Sequence, residues 1–289
     1  MSKRLSGLLA ALCLLAPLGA RAEEGPGTVY NKANYPEELA KRPVTLPAGM
    51  AELYVPLNVN LSTDEGVFGP LKPVRVNPSL YYGITDDVTV GLYSEVEPFT
   101  PMFAGLCLTG ESNGCYPIQG LGKGGFLAPV FNTIAGEGVV SLLRKDDYQL
   151  AAFGGLEFIT IGDPTLLRAR VGLSEKWARG DFALPVKLGV HIGLTNRQIG
   201  NVDVNTDSFF VDAEPTYNLT PQLAVFVRAA LWSTFDHLSD NVIVPVGAGF
   251  EYAVSHSVDV GAKFEFDNLL GDNNTVDERV GTLFAKARF

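Results

Sequence analysis

Apolar and polar residues alternate with a period of two through most of this chain, and that pattern limits the fold more than any other feature. Between Ala51 and Leu61 the apolar residues occupy one face almost alone. Between Phe182 and Leu194 the alternation is nearly unbroken. This period is that of a two-faced β-strand and differs from the 3.6-residue period of a helix. The pattern therefore predicts an all-β protein.

About twelve such segments follow one another between residues 49 and 289. They are predicted near residues 51–61, 74–84, 88–97, 126–143, 148–160, 166–177, 182–194, 208–217, 223–232, 242–253, 258–267 and 279–289. The phase of the fourth segment cannot be read around Gly136 and Gly138. Short connections mostly alternate with longer ones, and this alternation with an even strand number is typical of outer-membrane barrels. We therefore expect a closed antiparallel transmembrane β-barrel.

The apolar face needs an environment that hides it. Hydrophobic residues make up 46% of the chain, yet no segment after the N-terminus reaches the 18 or so consecutive apolar residues of a transmembrane helix. A lipocalin-like barrel or a β-sandwich would also alternate. Those folds turn their apolar face inward, whereas here the opposite face carries full charges on strand after strand. The charges favour a barrel whose apolar face meets lipid.

The N-terminus has the three parts of a secretory signal peptide. Lys3 and Arg4 precede an apolar run from Leu8 to Leu18, and Ala20-Arg21-Ala22 supplies the small-residue cleavage site. We expect cleavage after Ala22, with 1–22 as the signal peptide. Residues 23–48 are rich in Pro, Gly and charge, and are predicted to form an extended periplasmic N-terminal segment before the barrel at 49–289.

Charge and cysteine content limit the partners. Loss of the signal peptide removes three positive charges and no acid, so the formal net charge moves from -10 to -13. An acidic chain repels phosphate backbones, so we expect no nucleic-acid partner. Cys107 and Cys115 then remain, and a close cysteine pair in an exported protein indicates a disulfide. The bridge would lie in the long loop after the third strand.

Aromatic residues on the apolar face collect near the predicted strand ends. They are Tyr82, Tyr148, Trp177, Phe182, Tyr217, Tyr252 and Phe289 at the periplasmic ends, and Phe158, Phe209 and Phe266 at the opposite ends. Two aromatic belts are expected where a barrel crosses both membrane interfaces. Glu175 is the exception, since it falls on the apolar face beside a turn.

The final strand, from Val280 to Phe289, ends on an aromatic residue after alternating apolar ones. In this respect the chain resembles the Gram-negative outer-membrane β-barrels, and the resemblance covers about residues 49–289. It implies that Phe289 is an assembly signal read by the barrel-assembly machinery, and that the partner around the barrel is outer-membrane lipid. The chain also looks like the many small barrels of such bacteria, a likeness that implies no particular activity.

The inward face is the most informative surface for function. The predicted lumen-lining residues are Arg75, Arg168, Arg170, Lys187, His191, Asp212, Glu214, Arg228, Glu251, Lys263, Glu265, Lys286 and Arg288. Such charges need water or partners, because isolated buried charge is very costly. Either a wet pore or a packed network of ion pairs would satisfy them. From the turn at 218–222 we expect Asp212 directly opposite Arg228 on neighbouring strands.

The sequence contains few signals for a catalytic or metal-binding site. His191, His237 and His256 are expected to be solvated or to line the lumen. The acidic loops at 203–207 and 272–278 carry oxygen ligands but lack the glycine and terminal glutamate of an EF-hand. We therefore expect no enzyme, metal or cofactor. The favoured function is a passive small-solute channel, the second a plugged barrel acting as anchor or adhesin through its outer loops, and a lipid hydrolase is a distant third.

Overall fold

The structure is a computed structural model that describes residues 24–61, 74–94, 106–108, 133–160, 165–199, 202–203, 205–236, 238, 242–272, 276 and 279–289. The predicted signal peptide, Cys115 and His237 lie outside these residues. The Cys107–Cys115 disulfide therefore stays a prediction. Within the described part of the chain, no helix is long and apolar enough to cross a membrane.

Nearly all regular structure is β-strand. The strands are β1 (Ala51–Asn60), β2 (Val74–Val76), β3 (Ser79–Thr85), β4 (Val88–Tyr93), β5 (Leu106–Cys107), β6 (Ile134–Lys145), β7 (Tyr148–Thr160), β8 (Leu166–Arg179), β9 (Phe182–Gly193), β10 (Gln198–Ile199), β11 (Val202–Asp203), β12 (Ser208–Ala213), β13 (Thr216–Asn218), β14 (Leu223–Thr234), β15 (Val242–Ile243), β16 (Val246–Ser255), β17 (Val258–Phe266) and β18 (Arg279–Arg288). A short 3₁₀ helix spans Leu39–Lys41.

Three proline residues divide three of the barrel strands into two pieces. Pro78 separates β2 from β3, Pro215 separates β12 from β13, and Pro245 precedes β16 after β15. Proline has no N–H to donate to the ladder, so the regular pairing stops there. Each pair of pieces keeps one register against its neighbours and counts as one strand.

The sheet closes on itself as a barrel. Each barrel strand pairs antiparallel with the next along the chain, and β18 pairs with β1 in a ladder that runs from Glu52 opposite Arg288 to Asn60 opposite Val280. Beyond the ladder, the backbone N–H and C=O of Phe289 exchange hydrogen bonds with Ala51 at 3.0 and 2.9 Å. The predicted closed antiparallel barrel of twelve strands is confirmed.

The two faces of the wall differ as the alternation predicts. Outward leucine, valine and aromatic side chains on nearly every strand remain exposed, as in Leu156, Tyr217 and Leu283. Glu175 has a local partner on this face, because the Tyr148 hydroxyl donates to its carboxylate at 3.0 Å. The fourth predicted strand is Ile134–Lys145, and its phase was unreadable because outward Gly136 and Gly138 have no side chain to show the alternation.

The ends of the barrel are distinguished by their turns. Tight turns join β3 to β4, β6 to β7, β8 to β9, β13 to β14 and β16 to β17, all at the end where β1 begins and β18 ends. In outer-membrane barrels the short turns and both termini lie on the periplasmic side. We call this end the periplasmic mouth and the opposite end the outer end.

Replacing Phe289 with alanine separates its two roles. The backbone bonds to Ala51 remain, while the aromatic ring of the assembly signal is lost. We expect the amount of folded, heat-modifiable barrel in cells to fall severalfold, and refolding of the purified chain in detergent to stay near that of the unsubstituted protein. An unchanged level in cells would contradict the assembly role of the ring.

Candidate functional site

The predicted lumen residues lie on the inward face of the wall, and most of them are buried. Arg75 is on β2, and Arg168 and Arg170 are on β8; Lys187 and His191 are on β9; Asp212, Glu214 and Arg228 belong to β12, the β12–β13 break and β14; Glu251, Lys263, Glu265, Lys286 and Arg288 are on β16, β17 and β18. Many of them gather into three groups of hydrogen-bonded and charged side chains.

One group is centred on Arg228. Its Nε and Nη2 donate to Asp212, the latter at 2.7 Å, and its Nη1 donates to both oxygens of Glu265 at 2.8 and 2.9 Å. The predicted Asp212–Arg228 contact is present, but the predicted register is wrong by two residues. Asp212 lies opposite Ala230. The turn is centred on Pro221, one residue later than expected, since the Leu219 N–H bonds to the Leu223 carbonyl.

A second group surrounds Glu157, which is fully buried on β7. Arg168 pairs with one carboxylate oxygen, and the Tyr93 hydroxyl donates to the other at 2.8 Å. His191, also fully buried, lies 3.7 Å from the same carboxylate through Nε2 and 3.3 Å from the Ser208 hydroxyl through Nδ1. This Ser–His–Glu arrangement is closed to substrate because all three residues are buried and Glu157 already binds an arginine.

The third group lies at the periplasmic mouth and includes a part of the chain that the sequence did not place there. The N-terminal segment, residues 24–50, folds across the mouth. The backbone N–H groups of Ala40, Val44 and Leu46 donate to the inward side chains of Asn218, Gln149 and Thr89 at 2.9, 2.6 and 2.8 Å, respectively. Lys176 on β8 donates to the Leu39 carbonyl at 2.6 Å. Widely separated strands therefore hold this segment.

Arg42 is the buried charge of the N-terminal segment. Its Nη1 donates to Glu251 and to Asp259, both at 2.7 Å. Arg288 also binds Asp259, and Lys286 binds Glu251 at 2.6 Å. Burial and the neighbouring Arg288 lower the pKa of Arg42, but the two carboxylates raise it further, so that its net pKa lies above the ordinary value. Arg42 therefore remains charged and ties the segment to β16 and β17.

The segment also fits the wall closely. A Cβ atom at Gly83 would lie 2.1 Å from the Pro47 carbonyl oxygen, so only glycine allows this approach of β3. The segment also has a buried apolar cluster of its own, formed by Tyr30, Tyr35, Leu46 and Met50. Burial, with the charge of Glu52, raises the pKa of Tyr35 to about 12, so this phenol stays neutral.

Aromatic rings inside the lumen lie against the wall. Five of these rings lie directly opposite an inward glycine of a neighbouring strand, and an added Cβ there would meet the ring at 2.2 to 2.9 Å. The pairs are Tyr81 with Gly91, Phe153 with Gly172, Phe210 with Gly189, Phe226 with Gly249 and Phe284 with Gly261. Covering of strand glycines by cross-strand aromatics is a known stabilising device. Here it keeps large rings off the lumen axis.

Two adjoining cavities remain in the middle of the lumen, of about 440 and 350 Å³. Both are lined by Glu52, Tyr81, Lys187, Asp212, Glu214 and Lys286, so they form one space, which we call the mid-lumen chamber. Its lower part is bounded by Val44 and Leu46 of the N-terminal segment. The chamber is thus polar, of mixed charge and floored by the chain's own N-terminal segment.

The other candidate residues that the structure describes make structural contacts. His256 lies 3.5 Å from Glu37 at the exposed periplasmic rim. Asp207 in the acidic loop at 203–207 accepts hydrogen bonds from Arg197 and from the Gly193 N–H. In the described residues, no group of three or more histidine, cysteine, aspartate or glutamate side chains could hold a metal ion.

Comparison with known proteins identifies the class of fold. No protein-family model and no curated protein matches the sequence. Among solved structures, a NanC porin is similar with a TM-score of 0.55 and 8% identity, over 82% of this chain and 98% of that chain. A KdgM porin in complex with disordered oligogalacturonate is similar with a TM-score of 0.51 and 5% identity, over 83% and 99% of the two chains.

The chain folds as a closed β-barrel of the outer-membrane type. More particularly, it shares its fold with small porins, including a second KdgM porin structure at a TM-score of 0.50 and 5% identity that covers 82% of this chain and 99% of that chain. Identities this low establish the fold alone and carry no solute over to this protein.

Replacing Arg42 with alanine should loosen the N-terminal segment. Breaking a buried, hydrogen-bonded ion pair costs roughly 3–5 kcal/mol. Lys286 and Arg288 still bind the two carboxylates, so we expect the lower end of that range. The Ala40, Val44 and Leu46 amides should then exchange hydrogen on the order of a hundredfold faster, because they open with the segment.

The matched control is Arg197→Ala, which breaks the Arg197–Asp207 pair, where the arginine side chain is 55% exposed. Exposed pairs contribute roughly 0–1 kcal/mol, so exchange of the same three amides should not change. Equal exchange in the Arg42→Ala variant and in the unsubstituted protein would show that Arg42 does not hold the segment.

Proposed function

We propose that this protein is a passive outer-membrane channel for small polar solutes, with a lumen of mixed charge. The observation that carries the proposal is the mid-lumen chamber, whose lining is mostly charged and aromatic side chains. Charged side chains such as Glu214 and Lys187 need water when they are not tightly paired. A water-containing lumen in a membrane barrel is what a diffusion pathway requires.

The width of the lumen supports small solutes. Eight-stranded barrels are typically filled with side chains, whereas barrels of 16 or more strands hold wide channels. A barrel of twelve strands, in which aromatic rings lie against glycines of the wall, leaves a lumen of intermediate width. Arg228 is held to one wall by Asp212 and Glu265, so its charge lies beside the lumen and not across it.

The position of the N-terminal segment is the reason to propose that the periplasmic mouth is closed in the described conformation. Its backbone crosses between β7, β13 and β16, and its contacts at Ala40, Val44 and Leu46 are single hydrogen bonds to side chains. Only Arg42 makes a dense set of charged contacts. Passage into the periplasm therefore requires this segment to move aside.

The same segment favours a second candidate, a plugged barrel that serves as anchor or adhesin through its outer loops. In that case the ion pairs around Arg42, Glu157 and Arg228 fill the lumen permanently. Neither candidate is an enzyme, and neither needs a cofactor. Both have outer-membrane lipid as their surroundings and use Phe289 as the signal to the barrel-assembly machinery.

Deletion of residues 24–48 distinguishes the two candidates. If the segment closes a channel, planar-bilayer recordings should show conductance steps severalfold larger for the deletion variant than for the complete chain. Heat-modifiable migration on gels controls for folding of the variant. Silence of both proteins would overturn the channel and favour the plugged barrel.

Replacing Arg228 with alanine tests the charge of the lumen. The change leaves Asp212 and Glu265 without their shared cation. A unit charge about 5 Å from an ion alters the energy of that ion by about 0.8 kcal/mol in water. The cation-to-anion permeability ratio should rise on the order of tenfold, measured as the reversal potential in a salt gradient for the complete chain and the deletion variant.

The control is Arg179→Ala, because Arg179 is exposed at a periplasmic turn. Its reversal potential should match that of the unsubstituted protein. A conducting Arg228→Ala variant with unchanged selectivity would place the ion path elsewhere than past Arg228.

A further inference from the structure

Glu214 is an acidic group of the mid-lumen chamber whose carboxylate has no hydrogen-bonded partner among the described residues. It lies in the break between β12 and β13, where Pro215 interrupts the ladder, and its backbone N–H bonds to the Pro185 carbonyl at 3.1 Å. Among the described residues, nothing donates a hydrogen bond to its carboxylate, and no cation lies within 4 Å of it. This carboxylate faces open space in both cavities.

Lys187 is the nearest inward cation along the neighbouring strand. It lies opposite Asp212, whose carboxylate binds Arg228 instead. The Lys187 ammonium has one carboxylate within 4 Å, that of Glu137 at 3.7 Å, which is longer than a hydrogen bond. Its side chain is 36% exposed, and it too lines both cavities. The ammonium also lies 5.3 Å from the centroid of the Phe153 ring, and its remaining sides are available to a ligand in the chamber.

The register places these two groups as diagonal neighbours. Asp212 opposes Lys187, and the same register puts Glu214 opposite Pro185, two residues along β9. Diagonal side chains on one face of a sheet are about 7–8 Å apart at their Cα atoms. An ammonium and a carboxylate therefore point into one chamber side by side, yet they do not form an ion pair.

The chamber as a whole has as many acidic as basic residues in its lining. Its lining contains the acids Glu52, Glu137, Asp212, Glu214 and Glu251 and the bases Arg170, Lys176, Lys187, Lys263 and Lys286. A polyanion or a polycation would meet like charges on some side. A small molecule with one ammonium and one carboxylate would meet an opposite charge at each end, and cavities of about 440 and 350 Å³ can hold it.

We propose that the mid-lumen chamber binds small zwitterions of the amino-acid class, with Glu214 receiving the ligand ammonium and Lys187 the ligand carboxylate. The inference rests on the proposed function, since it names the solute class of the same lumen. Binding at this site would make the channel selective for zwitterions over neutral solutes of equal size.

Binding can be measured without any current through the barrel. The probes are 4-aminobutyrate, butyrate and butylamine, which share a four-carbon chain and differ in charge. Saturation-transfer NMR on the complete chain in detergent should give an affinity for 4-aminobutyrate about tenfold above that for either singly charged probe, which corresponds to about 1.4 kcal/mol.

Two variants test which residue binds which charged end of the ligand. Glu214→Gln should lower the affinity for 4-aminobutyrate about tenfold and leave butyrate unchanged, and Lys187→Met should lower it similarly and leave butylamine unchanged. Glu175→Gln, on the lipid face, is the matched control and should change nothing. Heat-modifiable migration confirms that each variant is folded.

The outcomes separate this inference from the channel. Equal affinities for all three probes, or a Glu214→Gln variant that binds 4-aminobutyrate normally, would overturn the zwitterion site even if the barrel conducts. Selective binding by a barrel that stays silent with and without residues 24–48 would uphold the site and overturn the channel.

Discussion

The need to satisfy every backbone polar group inside a membrane determines the rest of this structure. Hydrocarbon offers no hydrogen bonds, so a sheet can cross it only if its edges pair. The seam between β1 and β18 fulfils this requirement, and the bonds of Phe289 to Ala51 extend it to the last residue. Closure fixes which side chains face lipid and which face the lumen, because neighbours along a strand point to opposite sides.

Closure also gathers the inward charges into a narrow space, where each must find water or a partner. Around Glu157 and Arg228 the partners come from neighbouring strands. At the periplasmic mouth they come partly from Arg42, which lies outside the barrel strands. Buried ion pairs are weak evidence for net stability. Here the ion pairs fix the positions of parts of the chain. They hold side chains against the barrel wall and hold the N-terminal segment in the periplasmic mouth, and the mid-lumen chamber remains between these groups.

The barrel could be predicted from the sequence because its signals are local. The alternation on β9 and the turns at its ends are visible within a dozen residues. Errors arose where local signals fail: the glycines of β6 hide its phase, and the turn at Pro221 shifts the Asp212 register by two residues. The place of residues 24–50 could not be predicted, because contacts such as Arg42 with Asp259 join positions 217 residues apart.

This chain forms a closed β-barrel whose periplasmic mouth holds its own N-terminal segment. Cross-linking in intact cells tests it most directly. The Ala40 amide lies 2.9 Å from the Asn218 side chain, so cysteines at these two positions should form a disulfide in the heat-modifiable barrel. Cysteines at Ala40 and at Asn58, which faces inward on the outer half of β1, should not. Absence of the first cross-link, or equal formation of both, would contradict the claim.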